Sequence, residues 1–161
     1  MPVPARMLVL FALAGLLGLA LGHREAPEAD GSAQDRWKAR HAERVVSELR
    51  DRDVGHLTAE QQAARTRMLE ELLAYGRRGR FAQNEDFPGE AIPHLIDQHG
   101  TRCALANLID VSGHPDLLLR LSAAGNTDFV PAFAEDAGLG AWLADHGLSV
   151  AEAAYIPVSY T

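Results

Sequence analysis

Four side chains that could bind a metal or support nucleophilic catalysis fall within 21 positions of the chain: His94, His99, Cys103 and His114. Thiolates and imidazoles are ligands for transition metals, and an imidazole can take the proton from a thiol that attacks a substrate. The spacing of the four residues matches no metal motif with a defined mechanism. Their density makes this segment the strongest candidate site in the sequence.

The single cysteine of the chain, Cys103, gives the sharpest prediction. It excludes an intrachain disulfide and any zinc site that needs two thiolates. We predict that Thr101 caps a helix that runs to about Val111, which places Cys103 in the first turn. Free amide groups and the helix dipole stabilise a thiolate there, and Arg102 would act in the same direction. The sequence therefore predicts a thiol of lowered pKa on the polar side of its helix, with Asn107 and Asp110.

Three interpretations of this segment remain open. His99 precedes Cys103 by four residues, so a catalytic pair would use Cys103 as the nucleophile and His99 as the base. A metal site would use His94, His99 and Cys103 as ligands. The simplest interpretation is that Cys103 is a small buried residue between helices and that the histidines are surface or hydrogen-bonded residues. His114 is a poor partner because it lies at the far end of the predicted helix.

Two long helices are predicted before this segment. The first covers residues 34–51, where apolar residues recur at spacings of three, four and three: Ala39, Ala42, Val46 and Leu49. A capping box at residues 58–61 (TAEQ) begins the second helix, whose apolar stripe continues to Gly76, the predicted left-handed cap. A short loop joins the two helices, so we expect an antiparallel hairpin.

Shorter elements follow the hairpin. Residues 91–97 are apolar and bounded by turn residues, so they form either a short strand or an extended buried segment, and Pro93 argues against a central strand. Pro115 suits the first turn of a helix after that of Cys103. Residues 129–155 are predicted to form three short helices divided by glycines: Gly138, Gly140 and Gly147. Their aromatic residues are predicted to lie in the core: Phe129, Phe133, Trp142 and Tyr155.

These elements predict a mostly α-helical protein. Its residues 35–161 would form a single small domain with an N-terminal helix hairpin, several short C-terminal helices, and at most one short strand or hairpin. The chain carries a net charge of −7 and no long basic run, which argues against binding to nucleic acid or to an anionic membrane.

The N-terminus is typical of a signal peptide. Arg6 precedes an apolar run over residues 7–21, which is too short to span a bilayer as a helix, and small residues precede a cleavage position after Gly22. Cleavage would leave 139 residues with a net charge of −8, because Arg6 is the one charged residue removed. Residues 23–34 are polar and predicted to be a disordered leader. We therefore expect a periplasmic or secreted protein, with a retained membrane anchor as the alternative.

The chain also resembles a group of exported bacterial proteins of unknown function. The resemblance covers residues 86–113 (DFPGEAIPHLIDQHGTRCALANLIDVSG), residues 142–143 (WL) and residues 147–156 (GLSVAEAAYI). The group shares the proline–glycine turn, the I-D-x-x-G-T-x-C-A segment and the W-L-x-x-x-G-L-S/T-x-x-E-A-A ending. Ala106 and Asn107 stand where the group has a glycine and an aromatic residue. The resemblance implies an exported α-helical domain and no particular activity.

The pattern of glycine, capping residue, cysteine and helix is also similar in outline to papain-like and transglutaminase-like enzymes. Such enzymes place a histidine on a following strand, and no such strand is found in this sequence. The leading expectation is a non-catalytic protein that binds a partner protein or a small ligand. A thiol-dependent enzyme with Cys103 and a His/Cys metal-binding protein are the alternatives, and the sequence does not specify a cofactor or ligand.

Overall fold

Two long helices begin the structure, a computed structural model that describes residues 33–157. Helix α1 covers Ala33–Arg50, and α2 covers Ala59–Arg78. Helix α2 begins where predicted, because the Thr58 side chain accepts from the Gln61 amide and the Gln61 side chain accepts from the Thr58 amide. The predicted hairpin is thus confirmed.

Of the N-terminal predictions, the structure describes only the last two residues of the leader. The predicted signal peptide at residues 1–22 lies outside the described residues, as do residues 23–32 of the predicted leader. Ala33 and Gln34, the last two residues of that leader, belong to α1 instead. Both are good helix formers, and Asp35 adds a favourable negative charge to the first turn.

The predicted cap at Gly76 is wrong. Helix α2 continues to Arg78, and Gly79 takes the left-handed conformation at φ 65°. Gly76 lies at the crossing with α1, where a Cβ atom would be 2.9 Å from the Cβ of Ala42 and 3.4 Å from the carbonyl oxygen of Ala39. Glycine is needed here for close packing between the helices. The local sequence does not distinguish a glycine required for packing from a glycine that caps a helix.

The segment between α2 and α3 contains no helix and no regular strand. Pro88 and Gly89 form a turn in which the Glu90 amide donates to the Phe87 carbonyl and Gly89 has φ 85°. Of the two alternatives predicted for residues 91–97, the short strand does not form, and a single antiparallel bridge joins Ile96 to Arg102.

The side chain of Asn126 forms the backbone hydrogen bonds to Ile96 that a neighbouring strand would form in a sheet. The amide side chain of Asn126 accepts from the Ile96 N–H at 3.0 Å and donates to the Ile96 carbonyl at 2.8 Å. The backbone carbonyl of Asn126 also accepts a hydrogen bond from the Leu95 N–H at 2.9 Å. Asn126 therefore fixes the position of the segment that carries His94 and leads to Cys103.

The rest of the described chain consists of short helices. In chain order they are α3 (Ala104–Val111), α4 (Pro115–Gly125), a 3₁₀ helix (Val130–Phe133), α5 (Ala137–Asp145) and α6 (Val150–Tyr155). Pro115 occupies the predicted start of α4, and a capping box of Ser149 and Glu152 begins α6. The prediction that Gly138 and Gly140 divide helices is wrong. Both glycines lie within α5, which begins after the N-cap residue Asp136.

The core joins apolar residues from both halves of the described chain, residues 33–157. Phe133 and Trp142 are buried as predicted, whereas Phe129 and Tyr155 are exposed, contrary to prediction. The protein has a small all-α fold, as expected, with one isolated bridge in residues 33–157. No helix in that range is both long and apolar enough to cross a bilayer.

A buried arginine links the hairpin to α6. The Arg65 guanidinium donates to the carbonyls of Gly147 and Leu49 at 2.7 and 2.9 Å, and to Glu152 Oε1 at 2.7 Å. The pKa of Glu152 is raised by burial, but the hydrogen bonds from Arg65 and from the Ser149 amide outweigh that effect and leave it below its usual range. This group, Arg65 and its three acceptors, is the arginine cluster.

Candidate functional site

Cys103 is the N-cap of α3, and the prediction that Thr101 caps this helix is wrong. The Asp97 carboxylate accepts hydrogen bonds from the amides of Gln83, His99 and Thr101, which holds residues 97–101 in a loop. The helix therefore begins two residues later than predicted. The Sγ atom of Cys103 accepts from the Ala106 amide at 3.5 Å.

The electrostatic environment of this thiol is the opposite of the predicted one. Burial raises the pKa of Cys103 to about 11, and the hydrogen bonds from the Ala106 and Leu105 amides lower it by less than burial raises it. The thiol packs against the core and does not share the polar side of the helix. The neutral thiol is therefore the form that this environment favours.

The predicted base, His99, lies at the surface. Its side chain is 61% exposed, and its Nε2 atom lies 3.3 Å from Glu85 Oε1. Within residues 33–157 no hydrogen bond joins an imidazole to Cys103 Sγ, which instead accepts from backbone amides at the start of α3. The predicted pair of nucleophile and base is thus not assembled in this structure.

The predicted metal ligands are also not assembled. In the described part of the chain, no group of three or more His, Cys, Asp or Glu residues is arranged to hold a metal ion. His94, His99 and Cys103 therefore do not form such a group. His114, the fourth residue of the segment, is the N-cap of α4, and its ring lies 5.8 Å from that of His146.

His94 differs from His99 because it is buried. Its side chain is 3% exposed, and its Nε2 atom lies 3.3 Å from Oδ2 of Asp86, an exposed carboxylate. The ring of Phe87 packs at 6.3 Å from the imidazole. The other ring nitrogen, Nδ1, is buried and has no hydrogen-bond partner among the described residues.

A cavity of about 70 Å³ brings His94 and Cys103 to one site. Most of its wall is apolar and comes from distant parts of the chain: Ala42, Phe81, Leu95, Val130, Ala154 and Ile156. Lys38 and His41 of α1 supply further polar groups. Phe129 also lines the cavity and is half exposed, so the site reaches the surface on that side.

Lys38 is the most unexpected member of this wall. Its ammonium group donates to the Ala82 carbonyl at 3.2 Å and lies 5.6 Å from the centre of the Phe81 ring. Burial lowers the pKa of Lys38, and the negative charges of Asp35 and Asp97 oppose that effect.

His41 is bonded at both ring nitrogens. Arg44 donates to Nδ1 at 2.9 Å, so the proton is on Nε2, which donates to the Tyr155 carbonyl at 3.2 Å. Burial lowers the pKa of His41, which the bond to Tyr155 partly offsets.

Sequence reasoning missed both residues of α1 because charged side chains were assigned to the solvent. Their spacing was nevertheless informative, because Lys38, His41 and Ala42 lie three and four residues apart on the face that continues to Val45 and Leu49. A polar residue on an apolar stripe is the signal that could have found them.

Fold and site together define a small all-α domain with a mostly apolar cavity whose lining also includes polar residues, among them Lys38, His41, His94, Cys103 and Asp128. No protein-family model matches the chain, and comparisons with curated proteins and with solved structures give no significant match.

Proposed function

We propose that this is an exported, non-catalytic protein that binds a small ligand in the cavity beside His94 and Cys103. The observation that carries this proposal is that His94, a residue of the cavity wall, has a buried Nδ1 atom without a hydrogen-bond partner in the described structure. The export part rests on the sequence of residues 1–22 and on the similarity to exported proteins.

The unpartnered Nδ1 atom of His94 supports ligand binding because a buried nitrogen without a hydrogen bond is energetically costly. A buried polar atom without a partner destabilises a protein by about 1–3 kcal/mol, and native structures contain few of them. Lys38 and His41, in the same wall, both have hydrogen-bond partners. A ligand with a complementary polar group would complete the set.

The chemistry of Cys103 favours binding over catalysis. A thiol becomes a nucleophile as the thiolate, usually beside an imidazole that takes its proton. Here burial raises the pKa of Cys103 to about 11, and His99 faces Glu85 at the surface. The thiol is better suited to forming part of an apolar wall.

The proposal is tested by titrating the ¹⁵N-labelled protein with four probes of four heavy atoms each: acetone, 2-propanol, acetamide and acetate. Ligands gain at most about 1.5 kcal/mol per heavy atom, so four atoms set a lower limit of about 0.04 mM on the dissociation constant, and we expect about 1–10 mM for those that bind. The amides of Leu95, Cys103 and Ala104 should shift and saturate.

A matched pair of variants on α6 locates the binding site. Ala154 lines the cavity and Ala151 does not, although both are on the same helix. Ala154→Leu should fill the cavity and weaken binding at least tenfold, whereas Ala151→Leu should leave it unchanged. The proposal fails if no probe saturates, or if Ala154→Leu binds as tightly as the wild type.

The catalytic alternative is tested by alkylation of Cys103. With its pKa raised from 9.0 to about 11, the native thiol carries about 100-fold less thiolate at pH 8. We expect iodoacetamide to react with the native protein at least that much more slowly than with the urea-unfolded protein. Rapid alkylation of the native protein would favour the thiol enzyme instead.

Export is tested by expressing the full chain and sequencing the N-terminus of the product found outside the cytoplasm. We expect it to begin at His23. A product that begins at Met1 and remains with the membrane would instead indicate a retained anchor.

A further inference from the structure

We infer that the ligand of this cavity is a neutral molecule whose hydrogen-bond donor, a hydroxyl or an N–H group, binds to Nδ1 of His94. This inference rests on the proposed function and adds the chemical class of the ligand. It depends on which nitrogen of His94 carries the proton.

Asp86 selects the tautomer of His94. An ionised carboxylate can only accept hydrogen bonds, and its Oδ2 atom lies 3.3 Å from Nε2 of His94. Nε2 must therefore carry the proton for this contact to be a hydrogen bond. In the neutral imidazole the other nitrogen then presents a lone pair, so Nδ1 is an acceptor.

An acceptor at this position discriminates between ligand classes. A hydroxyl or amide N–H satisfies Nδ1, whereas a ketone or a carboxylate brings a second acceptor against it. The remaining polar groups do not reverse this preference, because His41 is bonded at both nitrogens and the Lys38 ammonium donates to Ala82 and already interacts with the negative charges of Asp35 and Asp97. Asp128, which also lines the cavity, is a further obstacle to an anion.

The size and walls of the cavity limit the rest of the ligand. A volume of about 70 Å³ is about half that of the roughly 150 Å³ apolar cavity that can hold benzene. The enclosed part of the ligand therefore has only a few heavy atoms. Apolar side chains such as Leu95 and Ile156 favour a hydrocarbon body, and a longer ligand would extend past exposed Phe129.

The four-probe titration at pH 7.5 also tests this inference. We expect the two donors, 2-propanol and acetamide, to bind at least about fivefold tighter than acetone and acetate, which have no donor and the same number of atoms. In His94→Phe this difference should disappear. His99→Phe removes an exposed imidazole instead and should retain the full difference.

A second measurement does not depend on any variant. The ¹⁵N chemical shifts of the His94 ring in the free wild-type protein should identify Nε2 as protonated and Nδ1 as unprotonated. Protonation at Nδ1 at pH 7.5 overturns the inference.

The outcomes separate the two proposals. Equal binding of all four probes, or tightest binding of acetate, overturns the donor inference and leaves ligand binding in the cavity intact. Saturable binding of none of them overturns both, with a water molecule then satisfying His94.

Discussion

The arginine cluster and the cavity both bury polar side chains, but they treat them differently. Arg65 directs its guanidinium to two carbonyls and the Glu152 carboxylate, all within the protein. His94 makes one side-chain polar contact, with Asp86, and leaves its second nitrogen unbonded in the described structure. Burial alone therefore does not distinguish the two regions; incomplete hydrogen bonding does, and it supports the proposed role of His94.

The surroundings of the two regions also differ. Next to the arginine cluster, Gly147 approaches the Gln61 carbonyl so closely that a Cβ atom would lie 2.9 Å from it. Clefts of about 320 and 620 Å³ nevertheless border Ser149 and Glu152, so space for another molecule does not by itself separate the two regions. The cavity of about 70 Å³ next to His94 differs because its wall includes a residue with an unbonded buried nitrogen, whereas the polar groups of the arginine cluster are paired.

Removing Arg65 should have the largest effect. Arg65→Met leaves two buried carbonyls and the partly buried Glu152 without their donor, and we expect a loss of about 3 kcal/mol in the free energy of unfolding. Urea unfolding followed by circular dichroism measures this loss. Arg67→Met, at an exposed position of the same helix, is the control and should change the value by less than about 0.5 kcal/mol. Similar values for the two variants would contradict a structural role for the cluster.

Packing at the hairpin crossing should give the next largest effect. Gly76→Ala places a Cβ atom 2.9 Å from that of Ala42, so α1 and α2 must separate, and we expect a loss of about 1–2 kcal/mol despite the better helix propensity of alanine. Gly140→Ala, within α5, meets no atom within 4 Å and should instead stabilise the protein by up to about 1 kcal/mol. Thermal and urea unfolding of both variants test the opposite signs. A stabilised Gly76→Ala would mean that the crossing has more room than the structure indicates.

Acid should weaken the arginine cluster more selectively. Folding leaves the pKa of Glu152 below its ordinary value of 4.5, so its stabilising contribution is present above about pH 4.5 and is lost as the pH falls through the folded-state pKa. Between pH 5 and 3, Glu152→Gln should therefore lose less stability than the wild type, by on the order of 1 kcal/mol. Urea unfolding at each pH measures the slope. Glu70→Gln, at an exposed position of α2, serves for comparison, and an equal reduction of the slope there would refute the assignment.

Replacing His94 should have the smallest effect on stability. Unlike the Arg65 variant, it should not lower the free energy of unfolding. His94→Phe removes an unsatisfied buried atom and leaves behind only Asp86, which is exposed to water. We expect a free energy of unfolding between unchanged and about 1 kcal/mol higher. A loss above 2 kcal/mol in urea unfolding would place His94 with Arg65 as a structural residue.

The local signals of the sequence predicted most of the helices. The capping boxes at Thr58 and Ser149 and the proline at 115 act within one turn, so their meaning does not depend on the rest of the fold. Gly76 was misassigned because its function depends on Ala42, which is 34 positions away in the sequence. The start of α3 was misplaced because the Asp97 carboxylate binds the Thr101 amide.

The candidate site was predictable only in part. Cys103 and His94 were identified as candidates, and both line the cavity, while His99 does not. The thiol pKa was predicted in the wrong direction because helix position was considered without burial, which here dominates. Lys38 and His41 reach the site through the packing of α1 against residues near the C-terminus, which no local pattern specifies.

The hydrogen bond from His41 to the Tyr155 carbonyl joins residues 114 positions apart. Contacts between α1 and α2 close a short loop and can form early in folding, whereas this contact needs nearly the whole chain. The cavity wall is therefore completed late, after α6 has docked. A chain that is still emerging from a ribosome lacks this contact, so the proposed ligand binding requires a finished fold.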